Sequence, residues 1–295
     1  MSPEVGRLDA DALAAVLSAD PDAAAALLAD LSQATDPELR AIARRLAARI
    51  FIQLGATGRQ SARGPRRLRA VARPDGDVDL DRTLDRASGE WPPRGEDIVT
   101  RTWHARRRSV CLLVDSSGSM SGLALAMAAV ASASVLLAAD SRLDTGVLAF
   151  SGDVTVLQAP GRRAAPEELV GRLLGLRGHG MTDLAGALRV AARELAASSG
   201  AGAAGRGNAP GERCVVLLSD CLSTAGGDPA TALAGIDRLD VLYPLPATPA
   251  PAGLRSNQES VDAAARLAKL GGGISQPIRT LADIPAALTT LLAAR

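Results

Sequence analysis

An apolar run that ends in an aspartate followed by regularly spaced hydroxyls constrains this chain more than any other feature. Residues 110–119 read VCLLVDSSGS. The continuous apolar residues 110–114 predict a strand that helices cover on both faces. Asp115 then falls at the carboxyl end of that strand, with Ser117 and Ser119 at alternate positions. Loops at this end of open α/β sheets hold ligands, and hard oxygen ligands suit Mg²⁺. The segment therefore predicts a magnesium site.

The same residues resemble the DxSxS signature of von Willebrand factor type A domains, whose site is called the metal-ion-dependent adhesion site. Two further elements of that site have counterparts here, since Thr182 lies in the Gly-containing RGHGMTD and Asp220 ends CVVLLSD. The resemblance implies that Ser117, Ser119 and Thr182 contact Mg²⁺ directly, with Mn²⁺ as the alternative metal. It implies that Asp115 and Asp220 act through bound waters or hydrogen bonds. It further implies that a partner protein supplies an Asp or Glu as the last metal ligand.

The three cysteines, Cys111, Cys214 and Cys221, are odd in number and lack CxxC spacing. They predict reduced thiols and a cytoplasmic location. Cys221 also departs from the resemblance, because relatives commonly carry Gly directly after the last aspartate of the site. The N-terminal residues MSPEVGRLDADAL do not form a signal peptide pattern. Residues 116–139 are uncharged, but their Ala, Ser and Gly content predicts a buried helix and no membrane span.

Composition limits the partner classes. At 295 residues and 47% hydrophobic content, the chain can bury the core of one domain of about 190 residues with a helical extension. A net charge of +1 argues against a protein that binds nucleic acid or membranes through its overall charge. An aromatic content of 2% argues against surfaces that stack bases. We therefore expect a protein partner and no membrane partner, and composition favours protein over nucleic acid.

The patterning divides the chain into a helical N-terminal extension at residues 1–54, an Arg-rich linker and arm at 55–100, and a von Willebrand A domain at 101–295. Within the extension, Asp20-Pro21 and Asp36-Pro37 separate three predicted short helices. The linker is either a solvated flexible connector or a docking surface for an acidic partner. Its basic residues are Arg59, Arg63, Arg66, Arg67, Arg69 and Arg73.

The rest of the chain alternates short apolar strands with helices, which predicts a parallel-dominated sheet covered on both faces. Helices are predicted near residues 79–87, 123–139, 167–174, 183–197, 229–238, 259–270 and 283–294, with strands near 144–150, 154–157, 213–220, 241–245 and 274–278 and an extended arm at 98–104. A flexible loop is predicted for residues 198–211. The fold class is thus α/β, a doubly wound, Rossmann-like sheet, and the resemblance implies one antiparallel edge strand at 154–157.

Upstream of DxSxS, the sequence GDVDLDRTLDR and the later Arg-Arg pairs are similar to bacterial proteins of the magnesium-chelatase D-subunit and CoxE-like group. Such proteins accompany MoxR-type AAA+ ATPases. The similarity implies an adaptor that works with a separate ATPase in metal insertion or client-enzyme maturation. The chain itself lacks a P-loop, because its single lysine, Lys269, is followed by Leu270.

Other functions stay open as alternatives. A nucleic-acid-associated module would use the arginines of the linker for phosphates. A metal-dependent phosphohydrolase would need a second carboxylate two residues after Asp115, where this chain has Ser117. A serine hydrolase would need GxSxG and a histidine base, and His179 is more simply a loop residue near the metal. We predict that the chain is not an enzyme, and that Asp183 caps a helix instead of contacting the metal.

Overall fold

The computed structural model describes twelve segments of the chain: residues 15–16, 19–34, 37–57, 67–71, 77–87, 91–104, 108–117, 122–140, 143–176, 180–203, 211–245 and 257–293. The α-helices are α1 Pro21–Leu31, α2 Pro37–Ala56, α3 Leu80–Arg86, α4 Leu123–Ala138, α5 Pro166–Leu174, α6 Leu184–Ala203, α7 Asn257–Leu270 and α8 Asp283–Ala293. The strands are β1 Arg67–Val71, β2 Asp77–Val78, β3 Thr100–His104, β4 Arg108–Asp115, β5 Leu143–Phe150, β6 Val154–Gln158, β7 Glu212–Leu218, β8 Arg238–Pro244 and β9 Gly272–Ile278. Two compact units result, one formed by residues 1–62 and 108–294 and the other by residues 63–107.

The larger unit contains a six-stranded sheet with the order β6-β5-β4-β7-β8-β9. Neighbouring strands pair in parallel, except that β6 lies antiparallel to β5 at one edge. This arrangement confirms the predicted doubly wound, mostly parallel α/β fold with one antiparallel edge strand. The strand order reverses between β4 and β7, so their carboxyl ends flank the crevice where α/β sheets bind ligands.

Strand β4 lies at the centre of two hydrophobic cores, one on each face of the sheet. Val110, Leu112 and Val114 pack into the core formed with α1, α2, α4, α5 and α8. Cys111 and Leu113 pack into the core formed with α6 and α7. Because alternate side chains of a strand point to opposite faces, a strand covered on both sides must be apolar throughout. This requirement explains the continuous apolar run of β4.

Helix α4 is buried on nearly all sides, and every residue from Leu125 to Val135 is buried. One side packs on the sheet, while α1 and α2 contact the helix from outside. A helix that is apolar all round needs such a second layer, so the N-terminal helices complete the same core. The helix predicted near residues 123–139 is confirmed, and it is buried as expected. Among the described helices, none has the length and apolar character needed to cross a membrane.

Helix α1 begins where the sequence predicts it. The carboxylate of Asp20 accepts the N–H of Ala23 at 3.0 Å, and Pro21 occupies the first turn. Such a cap satisfies one of the N–H groups that a helix leaves without a partner, and proline fits there because it lacks an N–H. Helix α2 similarly begins at Pro37. The predicted helix before Asp20 lies mostly outside the described residues.

Two boundaries differ from the prediction. Residues 229–238 were expected to form an α-helix, but only Pro229–Ala232 are helical, as a 3₁₀ turn. Gly235 adopts a φ of 88° and β8 already begins at Arg238, so no room remains for further helical turns. Helix α6 extends to Ala203, although the glycines of residues 198–211 predicted a loop throughout.

The smaller unit contains a three-stranded antiparallel sheet with the order β1-β3-β2, together with helix α3. Asp79 caps α3, and the Thr83 hydroxyl exchanges hydrogen bonds with the backbone of Val99. The predicted helix at 79–87 and the extended arm at 98–104 are therefore confirmed. Strand β1 lies in the segment predicted as a linker, whereas Arg59, Arg63, Arg66 and Arg73 lie outside the described residues.

Candidate metal centre

Asp115 is the last residue of β4, and two hydrogen bonds hold its buried carboxylate in one orientation. Oδ1 accepts the N–H of Ser117 at 2.9 Å, and Oδ2 accepts the hydroxyl of Ser219 at 2.8 Å. The first bond closes an Asx turn that starts the loop after the strand. Only 6% of Asp115 is exposed, so its charge depends on such partners. Because a carboxylate offers about four lone-pair sites, each oxygen retains capacity for a metal-bound water.

The loop after β7 faces Asp115 through Ser219. The Ser219 hydroxyl donates to Asp115 and also accepts the N–H of Cys221 at 2.9 Å. One residue later, Oδ1 of Asp220 accepts the N–H of Leu222 at 3.0 Å. Both carboxylates therefore follow neighbouring parallel strands and are oriented by bonds within or between the two loops. The backbone geometry explains why two acidic residues 105 positions apart in sequence meet at one edge of the sheet.

Cys221 adopts a φ of 61°, in the left-handed region. This conformation costs a non-glycine residue about 1–2 kcal/mol. Burial raises the pKa of the Cys221 thiol, and the negative charges of Asp220 and Asp115 raise it further. The thiol is thus protonated at neutral pH. The same charges create a field that favours a cation at this edge of the sheet.

Backbone and hydroxyl hydrogen bonds tie the Thr182 segment to the loop after β7. The N–H of Thr182 donates to Oγ1 of Thr224 at 2.7 Å. The carbonyl of Thr182 accepts the N–H groups of Thr224 and Ala225 at 3.0 and 3.1 Å, and the hydroxyl of Ser223 at 3.0 Å. Four bonds on one residue fix its backbone, and Thr182 is 94% buried by the same contacts. The segment cannot shift without moving the loop that carries Asp220.

Asp183 lies next to Thr182 and caps helix α6. Its N–H donates to the carbonyl of Ser151 at 2.8 Å, and its Oδ1 accepts the N–H of Gly186 at 2.7 Å. The cap stabilises the start of the helix and confirms the role predicted for Asp183. Since Ser151 directly follows β5, the Thr182 segment is held from both sides of the crevice.

Four of the five predicted ligands lie at the carboxyl edge of the sheet, Asp115 as the last residue of β4 and the other three in loops. Asp115 and Ser117 share one turn, Asp220 follows Ser219, and Thr182 is bonded to the same loop through Thr224. Ser119 and His179 lie outside the described residues. The structure therefore joins these loops in one hydrogen-bonded network.

The chemistry of these donors fits Mg²⁺ or Mn²⁺. The side chains at the crevice offer carboxylate and hydroxyl oxygens, the hard ligands these ions prefer. In the described segments, no three side chains of His, Cys, Asp or Glu gather into a group that could hold a metal. A cation in this crevice would consequently combine the two carboxylates with hydroxyls and water.

Comparison with known proteins finds a family model that matches part of the chain. Residues 110–224 match the family model of the von Willebrand factor type A domain. This segment is similar to von Willebrand A domains. The matched segment runs from the start of β4 to the loop that follows Asp220. No curated protein sequence matches the chain.

Several solved structures are similar in fold. A von Willebrand factor type A protein from Catenulispora acidiphila shares 20% identity with a TM-score of 0.47, and the alignment covers 66% of this chain and 44% of that one. An aerotolerance-related membrane protein from Bacteroides fragilis shares 18% identity with a TM-score of 0.43, and the alignment covers 64% of this chain and 98% of that one. Proximal thread matrix protein 1 from the mussel byssus, described with a zinc-occupied MIDAS motif, shares 15% identity with a TM-score of 0.44, covering 63% and 47%.

The sequence does not rank the hydroxyls near Asp220. The structure gives each one a different partner: Ser219 bonds the Asp115 carboxylate, while Ser223 and Thr224 bond the backbone of Thr182. In the sequence, only their position after a buried strand indicates that these hydroxyls lie near the site. Which hydroxyl reaches which partner depends on the turn that Cys221 makes, and its left-handed conformation is not evident from the sequence.

Proposed function

We propose that this chain is a Mg²⁺-dependent protein-interaction module whose metal captures an acidic residue of a partner protein. The supporting observation is the fixed Asp115 carboxylate, which joins the loops after β4 and β7 at the reversal of strand order. In this proposal, Ser117, Ser119 and Thr182 are direct ligands. Asp115 and Asp220 hold metal-bound waters, and Mn²⁺ is the alternative metal.

The charge balance supports capture of an acidic group. Only two of the five proposed ligands are carboxylates, so the charge of a dication would be lightly neutralised. A bound Mg²⁺ would supply a coordination position for the carboxylate of a partner. The residues of this chain orient that position: Asp115 stays fixed through Ser219, and Thr182 stays fixed through Thr224. Partner binding would therefore depend on the loop network as well as on the ion.

We further propose that the partner system includes a separate AAA+ ATPase, and that the chain assists metal insertion or client-enzyme maturation. The similarity of the segment before β4 to chelatase D-subunit and CoxE-like proteins supports this assignment. The three cysteines are free and buried, which agrees with action in a reducing compartment such as the cytoplasm.

Affinity capture from the native host tests this function. The full chain is immobilised in Mg²⁺ or in EDTA, alongside Asp115→Asn and the control Asp262→Asn, which changes an exposed carboxylate on α7. We expect mass spectrometry to find an AAA+ ATPase or its client with the wild type and the control in Mg²⁺. EDTA or Asp115→Asn should abolish that capture. Equal capture by a folded Asp115→Asn variant would exclude the metal from the interaction.

The alternatives give different results in the same preparation. A nucleic-acid-associated module would bind oligonucleotides with steep salt dependence and would be insensitive to Asp115→Asn. A phosphohydrolase would turn over a phosphoester with Mg²⁺ and without a partner. We expect no turnover, because Ser117 occupies the position where that chemistry needs an acid, and its N–H is bonded to Asp115.

A further inference from the structure

A shallow cleft of about 790 Å³ runs along one stripe of helix α6 and begins beside the Thr182 segment. At its near end lie Gly152 and Asp153, in the turn after β5, and Asp183, which caps the helix. The stripe continues with residues at helical spacing: Gly186, Arg189, Arg193 and Ala196. Asp183, which lines the cleft, directly follows Thr182, so the cleft begins one residue from a candidate metal ligand.

Two arginines in the far part of the cleft give it a positive charge that no ion pair among the described residues neutralises. Arg189 and Arg193 are exposed and lie one turn apart on α6, where like charges repel. Neither side chain has a hydrogen bond or ion pair within the described structure. Arg213, which also lines the cleft, is instead paired with Asp237 at 3.0 Å.

The acidic residues of the cleft lie at its metal end. Asp183 directly follows Thr182, and Asp153 belongs to the turn whose Ser151 carbonyl accepts the Asp183 N–H. A ligand aligned with the cleft thus meets the candidate cation site first and the two arginines afterwards. The Asp153 and Asp183 carboxylates separate the proposed cation from the two arginines, so the cleft suits a ligand whose carboxylates are spaced apart.

We propose that this cleft, the α6 cleft, binds an acidic segment of the partner that continues from the residue captured by the metal. The proposal rests on the proposed function, because the metal supplies the first anchor. Arg189 and Arg193 lie seven and eleven residues beyond Thr182, which is about 10 and 16 Å along a helix. An extended chain covers about 3.3 Å per residue, so further acids belong about three and five residues after the captured one. The partner segment should therefore carry Asp or Glu about three residues after the captured acid, and again about two residues further on.

Peptide binding to the full chain tests the α6 cleft. The probe is a labelled peptide with Glu at its first, fourth and sixth positions, and the comparison peptide has the same composition with the three Glu adjacent. The variant is Arg189→Glu with Arg193→Glu. Helix α2 offers a matched control, Arg45→Glu with Arg49→Glu, because these exposed arginines have the same spacing and do not line the α6 cleft.

Fluorescence anisotropy should show Mg²⁺-dependent binding that the α6 variant weakens at least tenfold, with the α2 variant within twofold of wild type. The spaced peptide should bind more tightly than the comparison peptide. Mn²⁺ affinity, measured separately by calorimetry, should be the same in all three proteins. Equal peptide binding by the two folded variants would overturn the α6 cleft while leaving the metal function intact.

Two other outcomes also overturn it. A single-stranded oligonucleotide that displaces the peptide at equal charge would show that the arginines bind any polyanion. If wild type does not bind Mn²⁺ in calorimetry, the proposed function itself is wrong. Calorimetry thereby distinguishes this outcome from an absence of peptide binding alone.

Discussion

Replacing Ser219 with Ala tests the loop network most sharply, because its hydroxyl has two roles at once. It donates to the Asp115 carboxylate and accepts the N–H of Cys221, and Ser219 is 97% buried. Loss of a hydrogen bond to a charged group costs about 1.5–3 kcal/mol, and loss of a neutral one about 1 kcal/mol. We therefore expect the free energy of unfolding to fall by about 2–4 kcal/mol, and the melting midpoint by roughly 5–10 °C.

The same substitution should weaken Mn²⁺ binding, since residues that orient metal ligands contribute about 10–100-fold to affinity. Ser132→Ala is the matched control, because the Ser132 hydroxyl is equally buried but bonds the Ala128 carbonyl within α4. Such bonds stabilise helices little. Urea unfolding and calorimetry on both variants decide the matter. If Ser219→Ala and Ser132→Ala behave alike in both measurements, the network does not position Asp115.

Two further predictions concern the remainder of the core. Asp240→Ala breaks a buried ion pair with Arg238 at 2.8 Å, so urea unfolding should show that the free energy of unfolding falls by about 3–5 kcal/mol. The double replacement Arg238→Met with Asp240→Leu should recover most of that loss. A loss below about 1 kcal/mol, as is typical of an exposed ion pair, would refute the burial argument. Burial raises the pKa of Cys214 from 9.0 to about 11, so the unfolded chain releases this proton first. The contribution of this thiol to the free energy of unfolding should be fully present below pH 9 and should be lost as the pH rises to about 11. In urea unfolding at several pH values, Cys214→Ala should reduce the dependence of stability on pH in this range. An unchanged dependence would refute the prediction.

Local patterns predicted the sheet well because each strand is short, apolar and bounded by turn residues. The run before Asp115 and the Asp20-Pro21 cap are such signals, and the structure confirms both. The sequence of helix α4 also indicates that other helices cover its outer side. Its apolar surface all round requires a second layer, which α1 and α2 provide.

The errors arose where distant parts of the chain decide the structure. The early start of β8 at Arg238 depends on pairing with β7 and shortens the helix expected at 229–238. Strand β1 forms in an Arg-rich segment because it pairs with β3, some thirty residues later. Likewise, the bond from Ser219 to Asp115 depends on the parallel pairing of β4 with β7. None of these pairings leaves a pattern within its own short segment.

Isothermal titration of the full chain with Mn²⁺ and Mg²⁺ tests the central claim most directly. Wild type should bind one divalent cation per chain, and Asp262→Asn should bind it equally. Asp115→Asn should bind it at least tenfold more weakly while still showing a cooperative unfolding transition. Absence of saturable binding to folded wild type, or equal affinity in Asp115→Asn, would contradict the account.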